Sequence, residues 1–427
     1  MSSMVFGQIV MGCTLILMIT GWTPLYSTAI LGSALAALAA GLPLSGTAPV
    51  TIAKLINSGL NPVIADMAGV LLFIGIMQFS GFFDVIIRTI IHVGREMGGG
   101  PGVATAGGIA AGIIGALTGF TQPAITGTIT GPAAIRLGVE PSKAAGITAH
   151  AGHLGNFGGF THPTQVAIIA TAGIAFGAIN VCGAITALSV FAVSYFRLQK
   201  ELRAKGFWLS GEEIKRIAAE IEVGDKNVSI AVAFAPFALL VAGFVIGLPI
   251  FLVGIVCGLL TIFLARIRLQ EGEKAMLEGV GKIATPLIAT IGFLFMSSVI
   301  KNVGLVDLIA NTTAQIIQNA PIQTMLLISA LTGLLTQSYG ASAAVVIPML
   351  QVVLKLGVDP LSAAVAAAGG ASLMQYFLTG GPVAALATVI PVIPGSELRA
   401  ANKFQRPSIL AGLGVVFCIT LLLTVMR

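Results

Sequence analysis

Charge is scarce in this chain. Of its 427 residues, 22 are Lys or Arg and 16 are Asp or Glu, so only 9% are charged. Soluble domains carry about 25%, and no soluble fold of this length could cover its surface with so few. Cysteine is scarce as well. Cys13, Cys182, Cys257 and Cys418 stand alone in apolar stretches, without metal or disulfide spacing, and read as packing residues. No GxxxxGK[ST] loop occurs, so ATP does not drive the protein directly through such a loop. Neither an Asp pair nor a Ser–His arrangement with suitable spacing is present, so the chain is expected not to be an enzyme.

The residues that are present are apolar: 56% of the chain is hydrophobic, with a mean hydropathy of +1.00. A helix of about 20 such residues crosses the hydrocarbon core of a bilayer. Stretches 4–22, 25–42, 62–82, 179–196, 228–246, 250–265, 283–300 and 407–426 qualify. Continuous runs of this kind oppose a transmembrane barrel, whose strands alternate. The first run lacks a basic flank and a cleavage site, so it is expected to be a retained helix. The net charge of +6 sits in loops, where the positive-inside bias places it, and does not point to nucleic acid.

An internal repeat organises the chain. Gly138-Val139-Glu140-Pro141 recurs as Gly357-Val358-Asp359-Pro360. At the same offset Arg136 meets Lys355, Asn156 meets Gln375 and Pro163 meets Pro382. Upstream, the segment from Ser80 to Ile86 resembles that from Val303 to Ile309. The chain therefore divides into 1–198, a polar connector 199–226, and 227–427. Within the connector, Ser210 is placed to cap a short helix over 211–217.

Positive charge alternates between the halves. The connector and 266–282 are basic, whereas 46–58, the counterpart of the latter, carries only Lys54. Arg88 and Arg95 follow the third span of the first half, and the matching stretch 304–322 has no Lys or Arg. Arg399, Lys403 and Arg406 precede the last span, and nothing basic precedes residue 179 at the matching place. Opposite orientation of two repeats requires such reversals. The connector then lies inside and both termini outside, as in a bacterial inner-membrane protein with periplasmic ends.

Each half holds two interruptions. In the first, 99–137 is broken at Thr118-Gly119-Phe120-Thr121-Gln122-Pro123, which suits a re-entrant hairpin with its tip near Thr121. A broken helix follows at Gly155-Asn156-Phe157-Gly158-Gly159-Phe160-Thr161-His162-Pro163. In the second half, Thr336-Gln337-Ser338-Tyr339-Gly340-Ala341-Ser342 is the hairpin tip and 375–382 the broken helix. Proline removes a donor, and glycine lets a ligand approach the backbone. The reading is an all-α polytopic membrane protein of two inverted repeats, with about ten transmembrane helices, two re-entrant hairpins and two broken helices.

These breaks carry the candidate substrate site: Thr118, Thr121, Gln122, Asn156, Thr161, His162, Thr336, Gln337, Ser338, Ser342, Gln375 and Thr379. Hydroxyls, amides and helix N-termini suit a small organic anion. No Arg or Lys is expected at the midplane, so donors of this kind would hold the anion, with or without Na⁺ beside it. No cofactor is expected. His162, at a break, is the candidate for carrying a coupling proton, as an alternative to Na⁺. His150 and His153, three residues apart, share a face, and their spacing is not that of a zinc site. Asp84 and Asp307 read as helix N-caps more than as ion ligands, and Asp66, near the start of the third span, is open to either role.

The run from Leu334 through Thr336-Gln337-Ser338-Tyr339-Gly340-Ala341-Ser342 to Met349, continuing over Gly357-Val358-Asp359-Pro360, resembles the C-terminal repeat of the Dcu-type anaerobic C4-dicarboxylate carriers. Asn402-Lys403-Phe404-Gln405-Arg406-Pro407 is similar too. Gly159-Phe160-Thr161-His162-Pro163-Thr164-Gln165 is closer to the gluconate permeases. The resemblance implies membership of the ion transporter superfamily, an elevator-type homodimer, and transport of a C4-dicarboxylate or a hydroxy-monocarboxylate. A cation/proton antiporter is the alternative of another class. It would need a buried carboxylate, and none stands at the breaks.

Overall fold

The computed structural model describes residues 2–60, 62–118, 123–206, 212, 228–281 and 284–425, and among them the regular structure is entirely helical. Before the connector run α1 (Ser3–Thr20), α2 (Leu25–Ala39), α3 (Ile52–Ser58), α4 (Pro62–Phe79) and α5 (Phe82–Thr118). They are followed by α6 (Pro123–Arg136), α7 (Pro141–Ala149), α8 (Gly152–Phe157), α9 (Pro163–Ala172) and α10 (Ala178–Ala204). After it come α11 (Ile230–Val245), α12 (Ile250–Leu264), α13 (Leu269–Gly281), α14 (Ala284–Asn302) and α15 (Leu305–Ile317). The chain ends with α16 (Pro321–Thr336), α17 (Tyr339–Lys355), α18 (Pro360–Met374), α19 (Val383–Val389) and α20 (Leu398–Val425).

Each apolar stretch contains a helix, but fewer helices than expected are long enough to cross a bilayer alone. Among the described residues four qualify by length and composition: α1, Gly98–Leu117, α10 and α20; counting two bent pairs as single spans gives up to six. In one pair α14 meets α15 at 66°. Helices such as α2 and α12 have 15 residues and rise about 22 Å, short of a core about 30 Å thick. Leu31, Leu35, Ile185, Leu252, Phe263, Leu331 and Leu335 face outward. So much exposed apolar surface requires a lipid environment, and the chain is a multi-pass membrane protein.

Other expectations need correction. The polar stretches 46–58 and 266–282 are not plain loops, because they hold α3 and α13. Within α13, Gly272, Ala275, Met276 and Gly279 form a buried stripe amid charged residues, and a stripe of that period makes a helix. The last helix begins at Leu398 and runs through Pro407, since a membrane helix can tolerate one lost backbone bond. Asp84 and Asp307 lie inside the first turns of α5 and α15, after the left-handed Gly81 and Gly304. There, inside the helix and not at its N-cap position, they favour the helix dipole, and Asp307 pairs with Lys355. Of the cysteines only Cys257 is buried; Cys13 and Cys418 are exposed. The connector helix expected at 211–217 lies outside the described residues except at position 212.

Helix α5 is folded back on itself. Gly98 and Gly99 leave helical geometry, Gly99 with φ 57°. A side-chain carbon on Gly94 would lie 2.4 Å from the Cβ of Ala106, residues that a straight helix would hold about 18 Å apart. The second limb then packs on α6, and α16 packs likewise on α17. The duplicated Gly-Val-acid-Pro motifs make matching turns, with Gly138 at φ 85° and Gly357 at φ 74° between helices.

Glycine pairs bring α4 onto α12 and α13. A Cβ on Gly254 would meet the carbonyl oxygen of Gly69 at 2.2 Å, and one on Gly279 would meet the Cα of Gly75 at 2.5 Å. Membrane helices associate through such small-residue contacts. Gly75→Val should therefore destabilise the protein by about 1–3 kcal/mol. Gly12→Val, which meets nothing within 4 Å, should be near neutral. Thermal unfolding of both variants in detergent checks this.

Candidate functional site

The turn between α16 and α17 is built from the sequence outward. Gln337 takes a left-handed conformation, φ 50° and ψ 28°, uncommon for any residue but glycine. Ser338 caps α17, its Oγ accepting from the Ala341 N–H at 3.2 Å. The Thr336 hydroxyl donates to the Thr332 carbonyl at 2.8 Å and lies 3.0 Å from the Ser342 hydroxyl. Ser342 donates to the Ser338 carbonyl at 2.8 Å. Three of the expected site hydroxyls thus hold the turn itself.

This tip meets the second break. Gln375 ends α18, and its Oε1 accepts from the Tyr339 N–H at 2.8 Å while its Nε2 donates to the Ser372 carbonyl. Gly380 lets the two segments touch, and Gly381 lets the break fold tightly on itself. A Cβ on Gly380 would lie 2.2 Å from Gln337 Oε1, and one on Gly381 only 1.6 Å from the Gln375 carbonyl oxygen. Thr379 lies on the far side, its hydroxyl donating to Asn402 Oδ1 at 3.4 Å.

The first half reaches the same tip through α9. His162 caps this helix in an extended conformation before Pro163, its Nδ1 accepting from the Thr164 N–H at 3.3 Å. Its ring lies 4.8 Å from that of Tyr339. The Thr164 hydroxyl donates to the Tyr339 carbonyl at 3.1 Å, and the Tyr339 hydroxyl donates to Gln165 Oε1 at 2.8 Å. All three polar groups of Tyr339 are therefore occupied, two of them by α9. Helices α9 and α17 begin at one place, where their positive ends add. Beside them Gln165 Nε2 and the Thr161 hydroxyl are buried without a hydrogen-bond partner.

The remaining site candidates fall nearby or beyond description. Asn156 donates to the Tyr376 hydroxyl at 3.4 Å. His150 ends α7, its Nδ1–H donating to the Gly146 carbonyl at 2.7 Å and its Nε2 3.3 Å from Asn402 Nδ2. His153 lies in α8, and its ring sits edge-on to Tyr376 at 4.8 Å. Its nitrogens make no well-directed hydrogen bond, although the Ser372 carbonyl is close. Thr121 and Gln122, and the side chain of Thr118, lie outside the described residues. Among the described residues no group of three or more His, Cys, Asp or Glu could hold a metal ion.

Sequence reasoning missed Tyr339, Gln165, Asn402 and Arg406 as site residues. All four stand in the motifs quoted for the family resemblance, and that position was the available signal. Asn402 Nδ2 donates to the Tyr376 carbonyl at 2.8 Å and Arg406 Nε to the Phe377 carbonyl at 3.1 Å. One face of α20 thus holds the unwound backbone.

No protein-family model matches the chain, and no curated protein matches it by sequence. Solved structures do share its fold. A YdaH transporter of Alcanivorax borkumensis aligns over 98% of both chains with TM-score 0.58 and 15% identity. MtrF of Neisseria gonorrhoeae, described as illuminating a class of antimetabolite efflux pumps, aligns over 97% of this chain and 94% of its own, with TM-score 0.52 and 14% identity. At such identities the likeness is one of fold.

Tyr339→Phe should leave the Gln165 amide wholly unpaired and reduce stability by about 1–3 kcal/mol. Adding Gln165→Leu should recover part of that loss, because an apolar pair leaves nothing unsatisfied. Melting temperatures of the two single variants and the double variant, read as a thermodynamic cycle, measure the coupling.

Proposed function

We propose that the protein is a secondary carrier of small organic anions. The observation behind this reading is the meeting of the α9 and α17 N-termini beside two unpartnered buried groups, Gln165 Nε2 and the Thr161 hydroxyl. Backbone donors, a side-chain amide and a hydroxyl recognise a carboxylate. The shared fold with two transporters supports carriage across the membrane. The motif resemblance favours a C4-dicarboxylate, with gluconate or another hydroxy-monocarboxylate as the alternative.

The mechanism we infer is elevator-type alternating access by a homodimer of two inverted repeats in the bacterial inner membrane, with external termini. Two findings support the repeats: the paired hairpins α5–α6 and α16–α17, and the matching glycine turns at 138 and 357. Coupling is to H⁺ or Na⁺, or is exchange of one anion for another. Among the described residues no Asp or Glu joins the hydrogen bonds of the breaks, which weighs against a cation/proton antiporter.

Uptake and export of succinate, fumarate, aspartate, gluconate and lactate in proteoliposomes, with and without Na⁺ and a pH gradient, test the reading. Saturable movement of at least one dicarboxylate is expected. Movement of cations alone, with none of the anions transported, would favour the antiporter.

His162 makes a sharper test of coupling. Its Nδ1 accepts the cap bond of α9, and an imidazolium has no lone pair left to accept it. Protonation would therefore remove a cap, at about 1 kcal/mol, and add positive charge to a helix N-terminus. If His162 nevertheless carries the proton, His162→Gln should abolish uptake driven by a pH gradient and preserve substrate counterflow. Equal gradient-driven uptake by variant and wild type at every pH would leave His162 a cap only.

A further inference from the structure

The site described above lacks a positive side chain, yet a guanidinium lies against its second break. Arg406 projects from the third turn of α20, one turn beyond Asn402 and on the same face. Its Nε–H donates to the Phe377 carbonyl at 3.1 Å, and its charge sits 5.5 Å above the Phe377 ring. Phe377 is two residues from Gln375 and two from Thr379, so the backbone that Arg406 grips lies within about 7 Å of both.

Two half-buried or exposed lysines have acidic partners, whereas Arg197 resembles Arg406 in resting on a carbonyl and a ring, both of Phe404, though far from either break in sequence. Lys143 pairs with Glu140 at 2.8 Å and Glu201 at 2.5 Å, and Lys355 pairs with Asp307. Arg406, half-buried, has a carbonyl and a ring, and no acidic partner among the described residues. Among the described residues only one of its five N–H donors is used. A guanidinium presents the rest as a planar fork that matches a carboxylate. Its stem is fixed by the unwound backbone, so the fork is positioned before any ligand arrives. Ionisable residues on membrane helices that face the protein interior commonly line substrate paths.

We propose that Arg406 binds an oxyanion at the mouth of the second break, and that this oxyanion is a carboxylate of the carried substrate. The inference rests on the organic-anion reading and names a fixed positive charge for it. A dianion should depend on Arg406 more than a monoanion of the same shape, because only one of its carboxylates can occupy the helix N-termini.

The experiment compares wild type, Arg406→Gln and Arg406→Lys in proteoliposomes, with succinate and its monoamide, succinamate, as probes. Detergent melting temperature and gel filtration confirm that each variant folds. Arg406→Gln should raise the succinate KM about tenfold, with Vmax nearly unchanged and the succinamate KM barely moved. Arg406→Lys keeps the charge without the fork and should fall between. A succinate KM within twofold of wild type in folded Arg406→Gln overturns the assignment, while the carrier reading stands. Should Arg406→Gln fail to fold, Arg406→Lys carries the test, and a wild-type KM ratio between succinate and succinamate in that variant overturns the assignment. If wild type neither transports nor is stabilised by any organic anion, both readings fall together. The same assay in phosphatidylcholine vesicles with and without phosphatidylglycerol separates the two sources of oxyanion. A defect that vanishes without phosphatidylglycerol would mean that Arg406 holds a lipid phosphate, which overturns the substrate assignment.

Discussion

A bilayer core offers no water to backbone groups, so each break in a membrane helix has to bring its own partners. The structure meets that demand with side chains from elsewhere in the chain. Tyr339 exposes an N–H, a carbonyl and a hydroxyl at the start of α17, and Gln375, Thr164 and Gln165 take them. Tyr376 and Phe377 expose carbonyls after α18, and Asn402 and Arg406 take those. The segments that interrupt the helices are therefore among the most cross-linked in the molecule. Tyr339 joins the two halves at the point where two helices begin.

Close approach makes this possible. The chain has 53 glycines among 427 residues, and several stand where a single carbon would force helices apart. Gly380 admits the hairpin tip to the break, as Gly69 and Gly75 admit α12 and α13 to α4. Lipid does not drive helices together by apolar burial, so van der Waals contact between backbones must do so. The same residue type thus serves scaffold and site.

Much of this was legible in the sequence. Apolar runs located the helices because hydropathy is a direct measure of what lipid tolerates. Proline and glycine marked 155–163 and 375–382 because both act on the local backbone. Hydrogen-bond partners were less legible. Gln165 sits three residues after the cap of α9, where its amide would ordinarily reach back to the His162 N–H; only the fold shows it bonded to Tyr339 instead. Thr336, Ser338 and Ser342 looked like ligands by composition, yet their own turn occupies them. The buried stripe of α13 was masked by the charges around it. Arg406 was assigned to a loop because a flanking basic residue usually belongs there, and the helix that carries it starts nine residues earlier than hydropathy alone indicated.

Asp66, on α4, accepts a hydrogen bond from the Phe251 N–H at 3.1 Å, at the start of α12. The two residues are 185 positions apart. During synthesis α4 reaches the membrane long before α12 leaves the ribosome. Until then the carboxylate lacks the Phe251 N–H, and the glycine surface of α4 lacks the two helices that later cover it. The first half of the protein is consequently unfinished as an assembly at the moment it is inserted. Its completion waits on translation of the second half, which makes biogenesis of this fold a process of late docking as well as of sequential insertion.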